Sequence, residues 1–267
     1  MANVPKKEKE EVAVEEKPRE TTVEFLASLA GVLVTGLFII TFVLQAFEIP
    51  SSSMEDTLLI GDHVFVNREQ FAPPTRWLGR LMPYRDIRRG DIVVFLSPME
   101  QGLFVVKRIM GVPGDRIHLR DGAVYRNGQK LDEPYVRYKG DPSDPECRRC
   151  PYRMNFPAIL PEVNDQLADY WQHSLPQYIQ GEDLVVPPEN YFAMGDNRDV
   201  SYDSRYWGFI PRTNVIGRPM FIYWSFDTPP GQWQIHGWGD RIKFLVAHVI
   251  LHFFDETRWT RTLRIVR

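Results

Sequence analysis

The sequence predicts an all-β domain carried behind one transmembrane helix, and three observations lead there. An uncharged apolar run extends from Phe25 to Phe47, about 35 Å long as a helix and so enough for a tilted bilayer span. Beyond it, apolar residues recur in short alternating runs of strand length rather than at helical spacing. Between these runs lie many of the chain's 21 prolines and 18 glycines, the residues that set turns. No run is followed by a long amphipathic helix, which argues against a parallel α/β sheet.

Residues 1–24 read as a disordered cytoplasmic tail in which Lys and Glu alternate. Lys6, Lys7, Lys9, Lys17 and Arg19 precede the span, whereas the first basic residue after it is Arg68. The positive-inside rule therefore leaves the N-terminus in the cytoplasm and exports everything from Glu48 onward. A cleavable leader is the rival reading of 25–47, but the run is longer than the usual apolar core. Leu44, three residues before the end of a cut after Ala46, is also too bulky for such a site.

The exported domain is expected over residues 48–240. Strands are expected at 63–67, 91–95, 103–112, 116–120, 123–126, 183–186, 191–194 and 220–224. Asp121-Gly122 and Asn127-Gly128 suit tight type I′ turns, so 116–131 reads as two consecutive hairpins. A smaller β subdomain is expected as an insertion at about 116–190, irregular between 140 and 180. Cys147 and Cys150 fall inside it, where export permits a local disulfide. Residues 241–267 read as a basic amphipathic segment with arginines at 258, 261, 264 and 267, lying on lipid or packed on the domain's own core. A net charge of −3 gives no reason to expect a nucleic-acid partner.

A serine needs a base before it can act as a nucleophile. None of the six histidines, at 63, 118, 173, 236, 248 and 252, sits in a recognisable triad motif. Lys107 interrupts the apolar strand 103–112 and so either snorkels from an edge or enters an apolar pocket. In a pocket, desolvation could bring its pKa from about 10.4 to near 7, a cost of about 4 kcal/mol. Ser51, Ser52 and Ser53 follow the span by a few residues; taken alone they suit a turn or a helix cap.

Four segments in order change this reading: Ile49-Pro-Ser-Ser-Ser-Met54, Arg89-Gly-Asp-Ile-Val-Val-Phe95, Lys107-Arg-Ile-Met-Gly-Val-Pro-Gly-Asp115 and Gly195-Asp-Asn-Arg-Asp-Val-Ser-Tyr-Asp-Ser-Arg-Tyr-Trp-Gly208. They closely resemble the motif boxes of type I signal peptidases. The resemblance implies an antiparallel β catalytic domain of that type and a serine-lysine dyad that removes signal peptides from exported preproteins without a cofactor or metal. Ser53 would be the nucleophile and Lys107 the general base. Ser51 and the Ser53 N–H would form an oxyanion hole, each donor worth about 3 kcal/mol. Ser201 would orient the lysine, and Asp203 with Arg205 would support the site from beneath. Ile49, Pro50 and Met54 would line shallow pockets for small substrate residues, with substrate added as a strand.

The implied setting is the bacterial inner (plasma) membrane, with preproteins and lipid as partners and the secretion machinery nearby. Two other readings predict different behaviour: a serine-lysine peptidase with one dedicated exported substrate, and an anchored β module that binds without cutting. Asp56 stands where the family commonly has Pro, Ser52 where it commonly has Gly, and Val200 where it commonly has Asn.

Overall fold

The computed structural model describes residues 21–71, 84–139, 151–159, 167–227, 237, 239, 242 and 248–266. The tail through residue 20 and the Cys147–Cys150 pair lie outside the described residues. The chain divides into two units, Met1–Ile39 and Ile40–Arg267.

The first unit contains α1 (Thr22–Phe38), which starts where Thr21 caps it: the Thr21 hydroxyl accepts from the Glu24 N–H while the Glu24 carboxylate accepts from Thr21 N–H. This capping box satisfies two orphan donors and places the start three residues before the expected Phe25. The helix is apolar, with no buried residue. A π-helical turn, Ile39–Val43, is next in the chain. The expected helix to Phe47 is overturned, because Leu44–Glu48 is β1 and pairs with β2 (Asp62–Asn67). An apolar run has no periodicity to separate a lipid-facing helix from a sheet strand. None of the described helices is by itself long and apolar enough to cross a membrane.

In the second unit the chain continues through β3 (Ile92–Leu96), β4 (Phe104–Gly111), β5 (Arg116–Arg120), β6 (Ala123–Arg126) and β7 (Gln129–Lys130). Then come α2 (Pro151–Met154), α3 (Asp169–Tyr178), β8 (Ile179–Gln180), β9 (Asp183–Val185), β10 (Asn190–Met194) and α4 (Ser204–Trp207). The last elements are β11 (Ile210–Pro211), β12 (Val215–Ser225) and β13 (Arg264–Ile265). Every described strand pairing is antiparallel. One sheet runs β1-β2-β12-β3-β4-β10-β11, with β13 also on β12; a second runs β7-β6-β5-β9-β8.

The two hairpins form as their turns dictate. Asp121 and Gly122 take φ of 50° and 81°, and Asn127 and Gly128 take 54° and 78°, the positive values a type I′ turn requires. Ile117, Leu119, Val124 and Leu184 of the second sheet are buried in one cluster with Val93, Phe95, Ile109 and Phe192 of the first. A second cluster, including Ile49, Met54, Leu58, Val64, Val94 and Ile222, lies under the serine segment.

The basic segment expected over 241–267 does not continue as a helix through Arg258, Arg261 and Arg264. The described helical turn ends near Leu251, and the chain then folds back. Arg261 pairs with fully buried Asp62, which also accepts from the Ser225 hydroxyl at 2.6 Å. Arg258 donates to the Ile60 and Phe226 carbonyls. A buried carboxylate needs a cation beside it, and this requirement turns the arginines inward. Val266 ends in the core cluster below the serines.

Candidate active site

Ser51 to Glu55 form a tight turn: Ser52–Met54 is a single 3-10 turn closed by Glu55 N–H to Ser52 C=O at 3.0 Å. Met54 is buried beneath it and pins the turn, which leaves the Ser53 hydroxyl at the surface of the core with 9% of the residue exposed. Leu58 N–H donates to Met54 C=O. Asp56 adopts φ 74° in the loop that follows, a value proline's ring forbids. Its carboxylate is held by Arg137 and Lys139, both at 2.6 Å. The acidic residue at the usual proline position thus belongs to a different loop conformation.

On β4 the pattern changes from exposed Phe104 to buried Lys107 and Arg108. Lys107 Nζ donates to Ser53 Oγ at 2.6 Å, and Ser51 Oγ lies 3.3 Å from Ser53 Oγ. Desolvation pulls the Lys107 pKa down to about 8, against the raising influence of the Asp203 and Asp196 charges. A neutral amine in contact with a hydroxyl can accept its proton, so these two groups are arranged for base-assisted attack on a carbonyl.

Arg108, which the sequence reading passed over, grips Asp196 with two bonds of 2.8 and 2.7 Å. Asp196 also accepts from Thr57 Oγ1 at 2.6 Å. Next to it, Asn197 N–H donates to the Ser53 carbonyl at 3.1 Å. The segment Gly195–Asn197 therefore clamps both ends of the serine turn. A charge directly after Lys107 in an apolar strand, and an acidic residue opening the last motif, were the available signals.

Asp203 and Arg205 are fully buried and joined by two 2.8 Å bonds. Asp203 also accepts from Gly195 N–H. Burial would raise its pKa, but Arg205 holds it low, helped by the Gly195 N–H. Ser201 is fully buried, and the hydrogen bond described for Lys107 goes to Ser53 rather than to it. A Cβ on Gly195 would meet Ser201 Oγ at 2.3 Å and the Ser53 carbonyl at 2.4 Å. Gly195→Ala is thus expected to displace the serine turn, lowering any turnover that uses Ser53 by at least about tenfold through misplacement of its hydroxyl; steady-state kinetics of the purified variant checks it.

A cleft of about 430 Å³ opens beside the pair, lined by Ile49, Pro50, Met54, Val94, Phe104 and Val106 among others. The sheet curls so that Phe47 of β1 meets Phe104 of β4, ring centroids 5.0 Å apart. Because β10 pairs only with Arg108–Gly111, residues Phe104–Lys107 have β3 as their one described sheet neighbour. The other edge faces the cleft and suits an added strand.

Residues 22–224 match the family described as signal peptidase, peptidase S26. Signal peptidase I of Buchnera aphidicola is 30% identical over 247 residues, covering 78% of each chain. A probable signal peptidase I-2 of a Synechocystis species is 33% identical over 215 residues, 79% of this chain and 77% of its own. Signal peptidase I of Pseudomonas aeruginosa is 30% identical over 221 residues, 78% of this chain and 74% of its own. With a serine and a desolvated lysine in contact inside the matched segment, the chain belongs to the signal peptidase family, peptidase S26, serine endopeptidases that cleave signal peptides from exported preproteins.

Proposed function

We propose that Ser53 is the nucleophile of this peptidase and Lys107 its general base, working on a preprotein strand laid along Phe104–Lys107. The observation that carries it is the 2.6 Å contact between a hydroxyl and an amine whose pKa lies near 8. Lys107 takes the Ser53 proton as the hydroxyl attacks the scissile carbonyl, then returns it to the departing amine. The Ser53 N–H and the Ser51 hydroxyl stabilise the oxyanion. Ile49, Pro50 and Met54 select small side chains next to the cut. Asp203 and Arg205 support the site from beneath through the Gly195 N–H, and Ser201 orients the base when its hydroxyl turns to Lys107.

The single-pass topology belongs to the same proposal. α1 has 17 residues, the short end of the about 17–25 a span needs. The catalytic unit lies outside, at the membrane and close to where preproteins emerge. Exposed Leu251, Phe254, Trp259 and Leu263 give that unit apolar surface for lipid.

Detergent-solubilised protein incubated with a panel of unrelated preproteins tests the reading. Each is expected to yield a new N-terminus directly after a small residue; a single substrate cut among many would favour the dedicated peptidase, and cuts after large residues would reject the pocket assignment. Because only the neutral amine accepts a proton, kcat/KM is expected to rise with pH and level off above about 8. A rate flat from pH 6 to 10 would remove Lys107 as base.

A further inference from the structure

Beyond the peptidase site, three residues near the C-terminus stand together: His248, His252 and Glu256. Their spacing is four and four, and the backbone makes the spacing count. His252 N–H donates to His248 C=O and Glu256 N–H to His252 C=O, both at 2.9 Å, so successive turns stack the three side chains on one face. Their ligand atoms all lie within 4.8 Å of one another. His248 Nε2 is 2.8 Å from Glu256 Oε2, and His252 Nδ1 is 3.8 Å from Glu256 Oε1. The two imidazoles are 5.0 Å apart between centroids.

We propose that this face binds one divalent transition-metal ion of the zinc class. Two neutral imidazoles and one carboxylate suit zinc better than calcium or magnesium, which prefer oxygen alone. Ligand atoms about 2.1 Å from a tetrahedral ion sit about 3.4 Å apart, so binding requires the His248–Glu256 pair at 2.8 Å to open slightly and the wider separations, up to 4.8 Å, to close. Asp255 lies 3.0 Å from His252 Nδ1, so it holds that imidazole from outside and leaves Nε2 as the atom that meets the ion.

The ion's role is structural, since Ser53 and Lys107 carry their own proton transfer. The ring of His248 lies edge-on to Phe226, and Asp227 N–H donates to Glu256 C=O at 2.9 Å. An ion here staples the successive turns of 248–256 to one another, in the segment that already packs on Phe226 and Asp227 after β12. It thereby secures the start of the segment whose Arg258 and Arg261 hold the loop carrying Ile60 and Asp62.

The test is titration of full-length protein, purified in detergent without a polyhistidine tag, with zinc chloride by calorimetry. One saturable equivalent is expected, with a matching rise in Tm. His252→Ala and Glu256→Gln are expected to weaken binding by about 100-fold or more, since even supporting residues around metal ligands cost 10- to 100-fold. Asp255→Asn, which retains the three ligands, is expected to keep the single equivalent, as is His173→Ala elsewhere on the surface. Absence of a saturable equivalent overturns the proposal. So does undiminished affinity in Glu256→Gln, or complete loss in Asp255→Asn, which would assign zinc to the Asp255–His252 pair instead. Circular dichroism of each metal-free variant separates lost ligands from lost folding.

Discussion

Lys107→Met is expected to abolish preprotein cleavage while leaving the protein at least as stable as the wild type at pH 7. Methionine keeps most of the volume and the straight chain of lysine but has no amine, so the Ser53 hydroxyl loses the amine in contact with it. General-base catalysis contributes about 10²- to 10⁴-fold, and removing one member of a nucleophile-base pair can cost about 10⁶-fold. The loss should appear in kcat, because the amine acts on the reacting proton rather than on binding. Stability moves the other way. Burial lowers the lysine from 10.5 to about 8, so holding it protonated in the fold costs about 3 kcal/mol. That penalty is fully present below about pH 8 and disappears as pH rises to about 10.5, where the unfolded chain also gives up its proton. The variant's advantage should therefore shrink across that window, less whatever the lost bond to Ser53 contributes. Denaturant titrations at pH 7 and pH 10.5 measure it. A variant that is inactive because it is unfolded would reject the argument, as would one that still cleaves.

Ser53→Ala should match the kinetic loss without the stability gain, because a neutral hydroxyl pays little for its nearly buried place. The difference between the two inactive variants isolates the charge as the source of strain at the site. It also distinguishes a catalytic lysine from one that merely fills the strand.

Much of this arrangement was legible because local chemistry and tertiary context agreed. Asp121-Gly122 and Asn127-Gly128 carry their conformation in their own residue types, so both hairpins are readable without their neighbours. Lys107 is conspicuous as a charge within an apolar strand. Leu44–Phe47 was misread because apolar residues satisfy lipid and a sheet equally well, and only pairing with β2 decides. Asp62 and Arg261 were illegible for a different reason. They are 199 residues apart, and nothing in either local sequence announces the other. Arg108 and Asp196 were hidden in plain motifs: their pairing follows from where β10 lies beside β4, at Met194 opposite Arg108.

Asp203 and Arg205 should tune the base in opposite directions, which no purely structural role would do. The Asp203 charge raises the Lys107 pKa and the Arg205 charge lowers it. Asp203→Asn is therefore expected to move the acid limb of kcat/KM below its wild-type position, and Arg205→Met to move it above. Both substitutions leave one buried charge without its partner, and breaking such a pair costs about 3–5 kcal/mol. For a domain of this size that lowers Tm by roughly 6–20 °C. The pair makes two 2.8 Å bonds in the interior, so the loss should fall toward the upper part of that range. The double variant Asp203→Asn/Arg205→Met removes both charges; it should recover part of the stability and return the acid limb toward its wild-type position. Thermal melts and pH–rate profiles of the three proteins decide the matter. Limbs that shift the same way in both single variants would show that the pair acts only by holding the backbone at Gly195, whose N–H Asp203 accepts. Opposed shifts that cancel in the double variant would show that the field of this pair sets the pH at which Lys107 becomes a base.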